Sequence, residues 1–103
     1  MNAPVIERFL RYVKFATTSD SSSHTVPSTD SQKVLGEALA DELRALGLSD
    51  AEMDGQGYVY ATLPATPDCA GLPAVGLIAH MDTSPDVSGE GVNPRIVTYA
   101  GGD

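Results

Sequence analysis

The feature that most constrains the fold of this chain is an uninterrupted apolar run over residues 74–79, with turn-forming sequence on both sides. A strand-length run that is apolar at every position predicts a strand buried on both faces, as in the central strands of α/β sheets. Such a strand needs helices packed on the sheet to cover it. The expected fold class is therefore α/β, with two helices followed by a mixed sheet.

Two helices are predicted before that run. The first spans residues 3–16, with Asn2 and Pro4 suited to its start. The second begins near Ser28 or Thr29, where Thr29 and Gln32 have the spacing of a capping box. It ends at Gly47, a residue suited to a left-handed C-terminal cap. Its apolar face is formed by four leucines at helical spacing, Leu35, Leu39, Leu43 and Leu46.

The remaining sequence predicts loops and strands. Residues 17–30 are rich in Ser, Thr and Asp and predict a surface loop. Residues 48–63 predict a hairpin that turns at DGQG, residues 54–57. A short strand is possible at residues 96–97. At 103 residues the chain is long enough for one small domain and too short for two of typical size, so residues 1–103 are taken as one unit.

Charge and composition exclude some partners. The net charge is −8, and Lys and Arg form no cluster, so neither nucleic acid nor an anionic membrane surface is an expected partner. The N-terminus lacks the pattern of a signal peptide, and no apolar run approaches the length of a membrane span. The single cysteine, Cys69, suits a reducing compartment, so a cytoplasmic location is predicted.

His80 and Asp82 follow the apolar run and are the candidates for chemistry. Residues two apart in an extended strand point the same way, roughly 6 to 7 Å apart. Ligands of open α/β sheets bind at the C-terminal edge of the strands. There, an imidazole can ligate a metal while a carboxylate ligates too or orients the histidine. The alternative is a hydrogen-bonded histidine without a metal, since a zinc site needs three or four ligands and the chain has one other histidine, His24.

Other reactive side chains give weaker signals. His24 lies in the polar loop and is most simply solvated there. Cys69 has no CxxC partner, which argues against a zinc–thiolate site. Ser84 lacks the GxSxG pattern of a serine hydrolase nucleophile.

Several stretches together resemble the N-terminal part of the peptidase T family. They are VPST before the second helix, ATLPA, HMDTSPDVSGEGVNPRIV and the terminal GGD. These tripeptide aminopeptidases are dizinc metallopeptidases, a group that also includes carboxypeptidase G and the acetylornithine and succinyl-diaminopimelate deacylases. The tail of the HxDTSPDxSG block distinguishes peptidase T from the deacylases. One departure is Met81, where valine is expected; an apolar side chain pointing away from the pair should be tolerated.

The resemblance implies that His80 is a ligand to one of two zinc ions and that Asp82 is the catalytic aspartate that orients it. It also implies a parent enzyme that releases the N-terminal residue of tripeptides and is a possible homodimer. It further implies that residues 1–103 are the incomplete N-terminal portion of an α/β/α zinc-peptidase catalytic domain. The other metal ligands, the general-base glutamate and a smaller lid and dimerisation domain are then expected beyond residue 103. The chain alone is therefore expected to be inactive. The alternatives are a non-catalytic α/β interaction module, or a deacylase or dipeptidase of the same family.

Overall fold

A computed structural model describes residues 3–102. Helix α1 spans Pro4–Tyr12 and helix α2 spans Gln32–Ala45. Strands β1 (Glu52–Met53) and β2 (Val59–Tyr60) form a two-stranded antiparallel sheet, and a short 3₁₀ helix follows at Pro67–Cys69. The order of two helices followed by a sheet agrees with the predicted α/β class, but the described sheet is antiparallel and not mixed, because its two strands are joined directly by a short turn. Within residues 3–102, no helix is long and apolar enough to cross a membrane.

Helix α1 is shorter than predicted. Pro4 occupies the first turn, where a backbone N–H has no partner within the helix, so the lack of an N–H in proline costs no helical hydrogen bond. Asn2 lies outside the described residues. After Tyr12 the backbone bonds shorten to three-residue spacing, from Lys14 to Arg11 and from Phe15 to Tyr12. These tighter turns end the regular helix four residues before the predicted boundary.

Helix α2 begins three or four residues later than predicted because its expected caps are used elsewhere. The Ser28 hydroxyl accepts the Asp20 N–H at 3.0 Å, and the Thr29 hydroxyl donates to the Thr18 carbonyl at 2.8 Å. Gln32 then reaches the Thr29 hydroxyl with its side-chain amide at 3.0 Å. The predicted pair is therefore in contact, but the reciprocal backbone bonds of a capping box are not formed.

The end of α2 was predicted correctly. Gly47 has φ +99°, in the left-handed region, and lies two residues after Ala45. Leu35 of the predicted apolar face is buried, Leu39 and Leu43 are half-buried, and Leu46 is exposed.

The predicted hairpin is confirmed, with a short ladder. Glu52 pairs with Tyr60 and Met53 with Val59. Asp54 closes the turn, because its carboxylate accepts the N–H groups of Gln56 at 2.9 Å and Tyr58 at 3.0 Å. This side-chain bonding fixes the register of the two strands.

The hairpin packs on α2 around a small core. The buried apolar residues among those described are Leu35, Ala40 and Ala51. Gly36 permits this contact, since a Cβ built there would lie 2.5 Å from the Met53 sulfur. Helix α2 and the hairpin thus hold the buried apolar residues among those described.

The prediction of a buried strand at residues 74–79 is wrong for the 103-residue chain by itself. These residues form no ladder, and Leu77 and Ile78 are 95% and 99% exposed. The short strand suggested at residues 96–97 is likewise absent. An apolar sequence favours burial, but a strand is buried only when neighbouring strands and a covering layer are present. The only described ladder, the hairpin of β1 and β2, leaves this run uncovered.

Candidate functional site

The structure brings His80 and Asp82 into direct contact. The Nδ1 atom of His80 lies 2.9 Å from Oδ1 of Asp82. The His80 side chain is 83% exposed and that of Asp82 is 40% exposed. With the ring proton on Nδ1, the imidazole donates to the carboxylate and its Nε2 lone pair points away from it. The two side chains are therefore side by side, although the run before them is not a strand.

A tight turn follows the pair. The Ser84 hydroxyl donates to the Asp86 carboxylate at 2.8 Å and accepts the Asp86 N–H at 3.3 Å. These bonds satisfy the polar groups of the Ser-Pro-Asp stretch locally, and a turn lies at residues 85–86, shortly after Asp82.

The pair lies at a large cavity, about 870 Å³ in volume. Its lining includes residues 77–82 together with residues of α2 and the hairpin. Leu39 and Leu43 of α2 and Tyr58 and Tyr60 of the hairpin contribute apolar and aromatic surface to it. A mostly apolar cavity with a few polar groups at its margin is typical of a ligand-binding site or of a surface covered by further chain.

A polar cluster joins α1 to α2 at the same cavity. Glu42 accepts hydrogen bonds from Arg8 at 2.6 Å, from Arg11 at 2.5 Å and from the Tyr12 hydroxyl. Hydrogen bonds from Tyr12, then Arg8 and Arg11, lower the pKa of Glu42 to about 2. Glu42 therefore stays ionised in the folded chain and neutralises one of the two guanidinium groups.

Sequence reasoning missed this cluster, although a signal was present. Glu42 lies three residues after Leu39 and four before Leu46, on the apolar face of α2. A carboxylate on an apolar face needs a cation or a donor, because burying an unpaired charge is costly.

The other candidate side chains remain apart from the pair. His24 is exposed in the polar loop, and Cys69 is a half-buried free cysteine. Among residues 3–102, no group of three or more His, Cys, Asp or Glu side chains could hold a metal ion. His80 is thus suited to ligate a metal, and Asp82 is suited to orient that histidine. Two residues do not make a complete metal site.

An imidazole oriented by a carboxylate at the edge of a cavity is the local arrangement found in metal-dependent hydrolases. No protein-family profile matches this chain. Curated relatives nevertheless match nearly all of it, and several of them are named peptidase T.

The chain is 58% identical over 100 residues to peptidase T of Clostridium acetobutylicum, covering 96% of this chain and 24% of the relative. It is 54% identical to peptidase T of Parabacteroides distasonis, with the same two coverages. Against peptidase T of Geobacillus kaustophilus it is 49% identical over 104 residues, covering 100% of this chain and 25% of the relative. The chain spans about a quarter of the length of these curated relatives. The resemblance to peptidase T predicted from the sequence motifs is confirmed.

Proposed function

We propose that this chain is part of a zinc-dependent tripeptide aminopeptidase of the peptidase T type. In this proposal His80 ligates zinc and Asp82 orients the His80 imidazole. The observation that supports the enzyme class most strongly is identity of 49 to 58% to peptidase T over nearly the whole chain. The two roles are supported by the 2.9 Å contact between Nδ1 and Oδ1.

Each of the two residues has a distinct task in this proposal. Asp82 accepts the Nδ1 proton of His80, which fixes the tautomer, holds the ring plane and makes Nε2 a better donor to a metal. His80 in turn presents Nε2 on the exposed side of the ring. When bound, zinc supplies a water of lowered pKa and polarises the carbonyl of the peptide bond.

The remaining parts of the site lie outside this chain in the proposal. The second histidine, the carboxylate ligands and the general-base glutamate belong to the rest of a longer parent polypeptide, as does a lid domain that supports a homodimer. The absence of a group of three or more possible ligands within residues 3–102 accords with this division. The 103-residue chain by itself is then expected to bind zinc weakly and to be inactive.

Tripeptides are the proposed substrates, and the cytoplasm is the proposed location. A cavity of about 870 Å³ beside the pair is of the size that holds small ligands. One free cysteine accords with a reducing compartment. A net charge of −8 disfavours nucleic acid as a partner.

The test compares the full-length parent with its His80→Ala variant and a His24→Ala control. His24 is an exposed loop histidine, so its removal should change neither quantity measured. We expect His80→Ala to lose at least one zinc ion per chain by elemental analysis, and to lose tripeptide hydrolysis by about 1000-fold or more, because a metal ligand is removed.

Two results would contradict the proposal. Unchanged zinc content and rate in His80→Ala would remove His80 from the site. A parent that hydrolyses N-acyl amino acids and not free tripeptides would identify a deacylase of the same family instead. The 103-residue chain serves as a third arm, and tripeptidase activity from it would contradict the assignment of the other ligands to later residues.

A further inference from the structure

Residues after Asp82 are joined to the beginning of the polar loop, far away in sequence. The Thr83 N–H donates to the Thr17 carbonyl at 3.0 Å, and the Ser19 N–H donates to the Thr83 carbonyl at 3.0 Å. These two bonds form a parallel bridge between Thr18 and Thr83. The Ser19 hydroxyl adds a third bond to the Thr83 carbonyl at 3.1 Å. We call residues 17–19 the bridging segment.

Thr18 extends this link in two further directions. Its hydroxyl accepts the Gly89 N–H at 3.0 Å, so it binds the far end of the SPDVSG stretch. Its carbonyl accepts the Thr29 hydroxyl at 2.8 Å, which connects it to the residues just before α2. Thr18 therefore contacts the turn after the His80–Asp82 pair, the end of that turn and the packed part of the molecule.

The bridging segment is itself anchored. Thr17 is 2% exposed, the same exposure as Ala40 of the core. Gly89 approaches so closely that a Cβ built on it would lie 2.9 Å from the Thr18 hydroxyl and 3.4 Å from that of Thr83. A side chain at residue 89 would have to displace one of these two hydroxyls.

The chain before the pair offers no comparable support. Leu77 and Ile78 are almost fully exposed, and residues 74–79 take part in no ladder. The backbone of the HMDT stretch is therefore fixed from its C-terminal side, one residue after Asp82. The direction of the Asp82 carboxylate, and with it the orientation of the imidazole, depends on that attachment.

We infer that Thr18 is a positioning residue for the His80–Asp82 pair, acting through Thr83 and Gly89. This inference rests on the proposed function, since the pair is taken to hold a metal. The Thr18 hydroxyl accepts the Gly89 N–H, and the backbone groups of its two neighbours, Thr17 and Ser19, bond to Thr83. Thr18 does not touch the metal or the substrate in this role.

The test uses five forms of the full-length parent: wild type, Thr18→Val, Thr18→Ser, Thr25→Val and Gly89→Ala. Thr18→Val keeps the shape and the backbone bridge but cannot accept from Gly89, whereas Thr18→Ser keeps the acceptor. Thr25 is a matched control, because its hydroxyl is in the same polar loop and bonds locally, to the Pro27 carbonyl at 2.8 Å. Gly89→Ala perturbs the same contact from the other side.

Four measurements are made. They are the affinity for added zinc, the visible absorption spectrum of the cobalt-substituted protein, hydrogen exchange in a peptide that contains Gly89, and the steady-state kinetics of tripeptide hydrolysis. We expect Thr18→Val and Gly89→Ala to weaken zinc binding about tenfold, the lower end of the effect of groups that support a metal ligand. Both should alter the cobalt spectrum and speed exchange at Gly89, with kcat reduced and KM little changed. Thr18→Ser and Thr25→Val should match wild type.

The outcomes separate this inference from the function on which it rests. A wild-type parent without bound zinc or tripeptidase activity would overturn the proposed function, and this inference with it. An active, zinc-bound wild type whose Thr18→Val and Gly89→Ala forms keep its zinc affinity and cobalt spectrum would overturn this inference alone. A uniform loss of stability with an unchanged cobalt spectrum would also overturn it, because Thr18 would then be merely structural.

Discussion

Residues 32–60 and residues 61–102 use their apolar side chains in opposite ways. In the first region, α2 packs against the hairpin and buries Leu35, Ala40 and Ala51. In the second region no residue is buried, and the apolar run at residues 74–79 is open to solvent. Yet His80 and Asp82, the candidates for chemistry, are both in the second region.

The difference shows that packing and chemistry are separated along this chain. The packed region provides a wall of the cavity, and the bridging segment attaches the exposed region to it through Thr83 and Gly89. Substitutions in the exposed region should therefore change metal binding with little effect on stability, and substitutions in the packed region should do the reverse.

Among the substitutions that test this comparison, the largest expected effect is on metal binding, from Asp82→Asn in the full-length parent. An amide cannot supply the carboxylate charge that orients and polarises the His80 ring, so zinc affinity and kcat should each fall about 10-fold to 100-fold. The midpoint of urea unfolding of the zinc-free protein should stay unchanged, because Asp82 makes its hydrogen bond to an exposed partner.

Glu90→Gln is the control for that prediction, as it removes an exposed carboxylate in the same region. Zinc affinity and unfolding midpoint should both match wild type. If Asp82→Asn lowered stability as much as metal affinity, the separation between the two regions would be broken.

The next effect is on stability, from Glu42→Gln. Glu42 is 19% exposed and accepts bonds from Arg8, Arg11 and Tyr12, so the substitution should cost about 1.5 kcal/mol of unfolding free energy. Zinc affinity should be unchanged. Equilibrium unfolding in urea checks the first expectation, with Glu37→Gln as a control at an exposed position of the same helix.

The same variant has a pH signature. The pKa of Glu42 is about 2 in the folded chain against an ordinary 4.5, because Tyr12, Arg8 and Arg11 hydrogen-bond to the ionised form. Its contribution to stability is therefore fully present above pH 4.5 and is lost as the pH falls from 4.5 towards 2. The difference in stability between wild type and Glu42→Gln should shrink over that range. A difference independent of pH would show that the charge of Glu42 is not what matters.

The smallest effect should come from the hairpin turn. Gly57 has φ +85°, and a Cβ there would lie 3.3 Å from Lys33. Gly57→Ala should therefore lower the free energy of unfolding by about 1 kcal/mol, a net value that includes the opposing gain from a less flexible unfolded chain. Gly55, in the same turn, has open space around it and a φ outside the left-handed region, so Gly55→Ala should be neutral or slightly stabilising. Equal urea midpoints for the two variants would contradict the conformational argument.

Local elements were predictable from the sequence because short-range physics specifies them. The leucine repeat of α2 and its ending at Gly47 depend on helical spacing and a left-handed cap, and both were found. The turn at residues 54–57 depends on Asp54, whose carboxylate accepts a backbone N–H two residues later, and this turn was found as well. The start of α2 was predicted too early because Ser28 and Thr29 bond to Asp20 and Thr18. These partners lie 8 and 11 residues earlier in the chain, a separation that capping rules do not include.

The roles of His80 and Asp82 remain predictions, while their contact could be anticipated. Side chains two residues apart in extended backbone lie on one side, which holds whether or not the backbone belongs to a sheet. For the Glu42 cluster the sequence indicates only that a carboxylate on an apolar face needs a partner, and for the Thr18–Thr83 bridge it gives no signal. Each joins residues 30 or more positions apart, and only the folded path of the chain places them together.

By itself, the sequence determined the helical periodicity of α2, the hairpin turn, the juxtaposition of His80 with Asp82, and the likeness to peptidase T. Tertiary structure alone decided what is buried, where α2 begins, and what holds the turn after Asp82. The physical reason is that periodicity, caps and turns depend on neighbours along the chain, whereas burial depends on which surfaces are present to cover it. The run at residues 74–79 shows this most directly, since its composition favours a buried strand while nothing in residues 3–102 covers it.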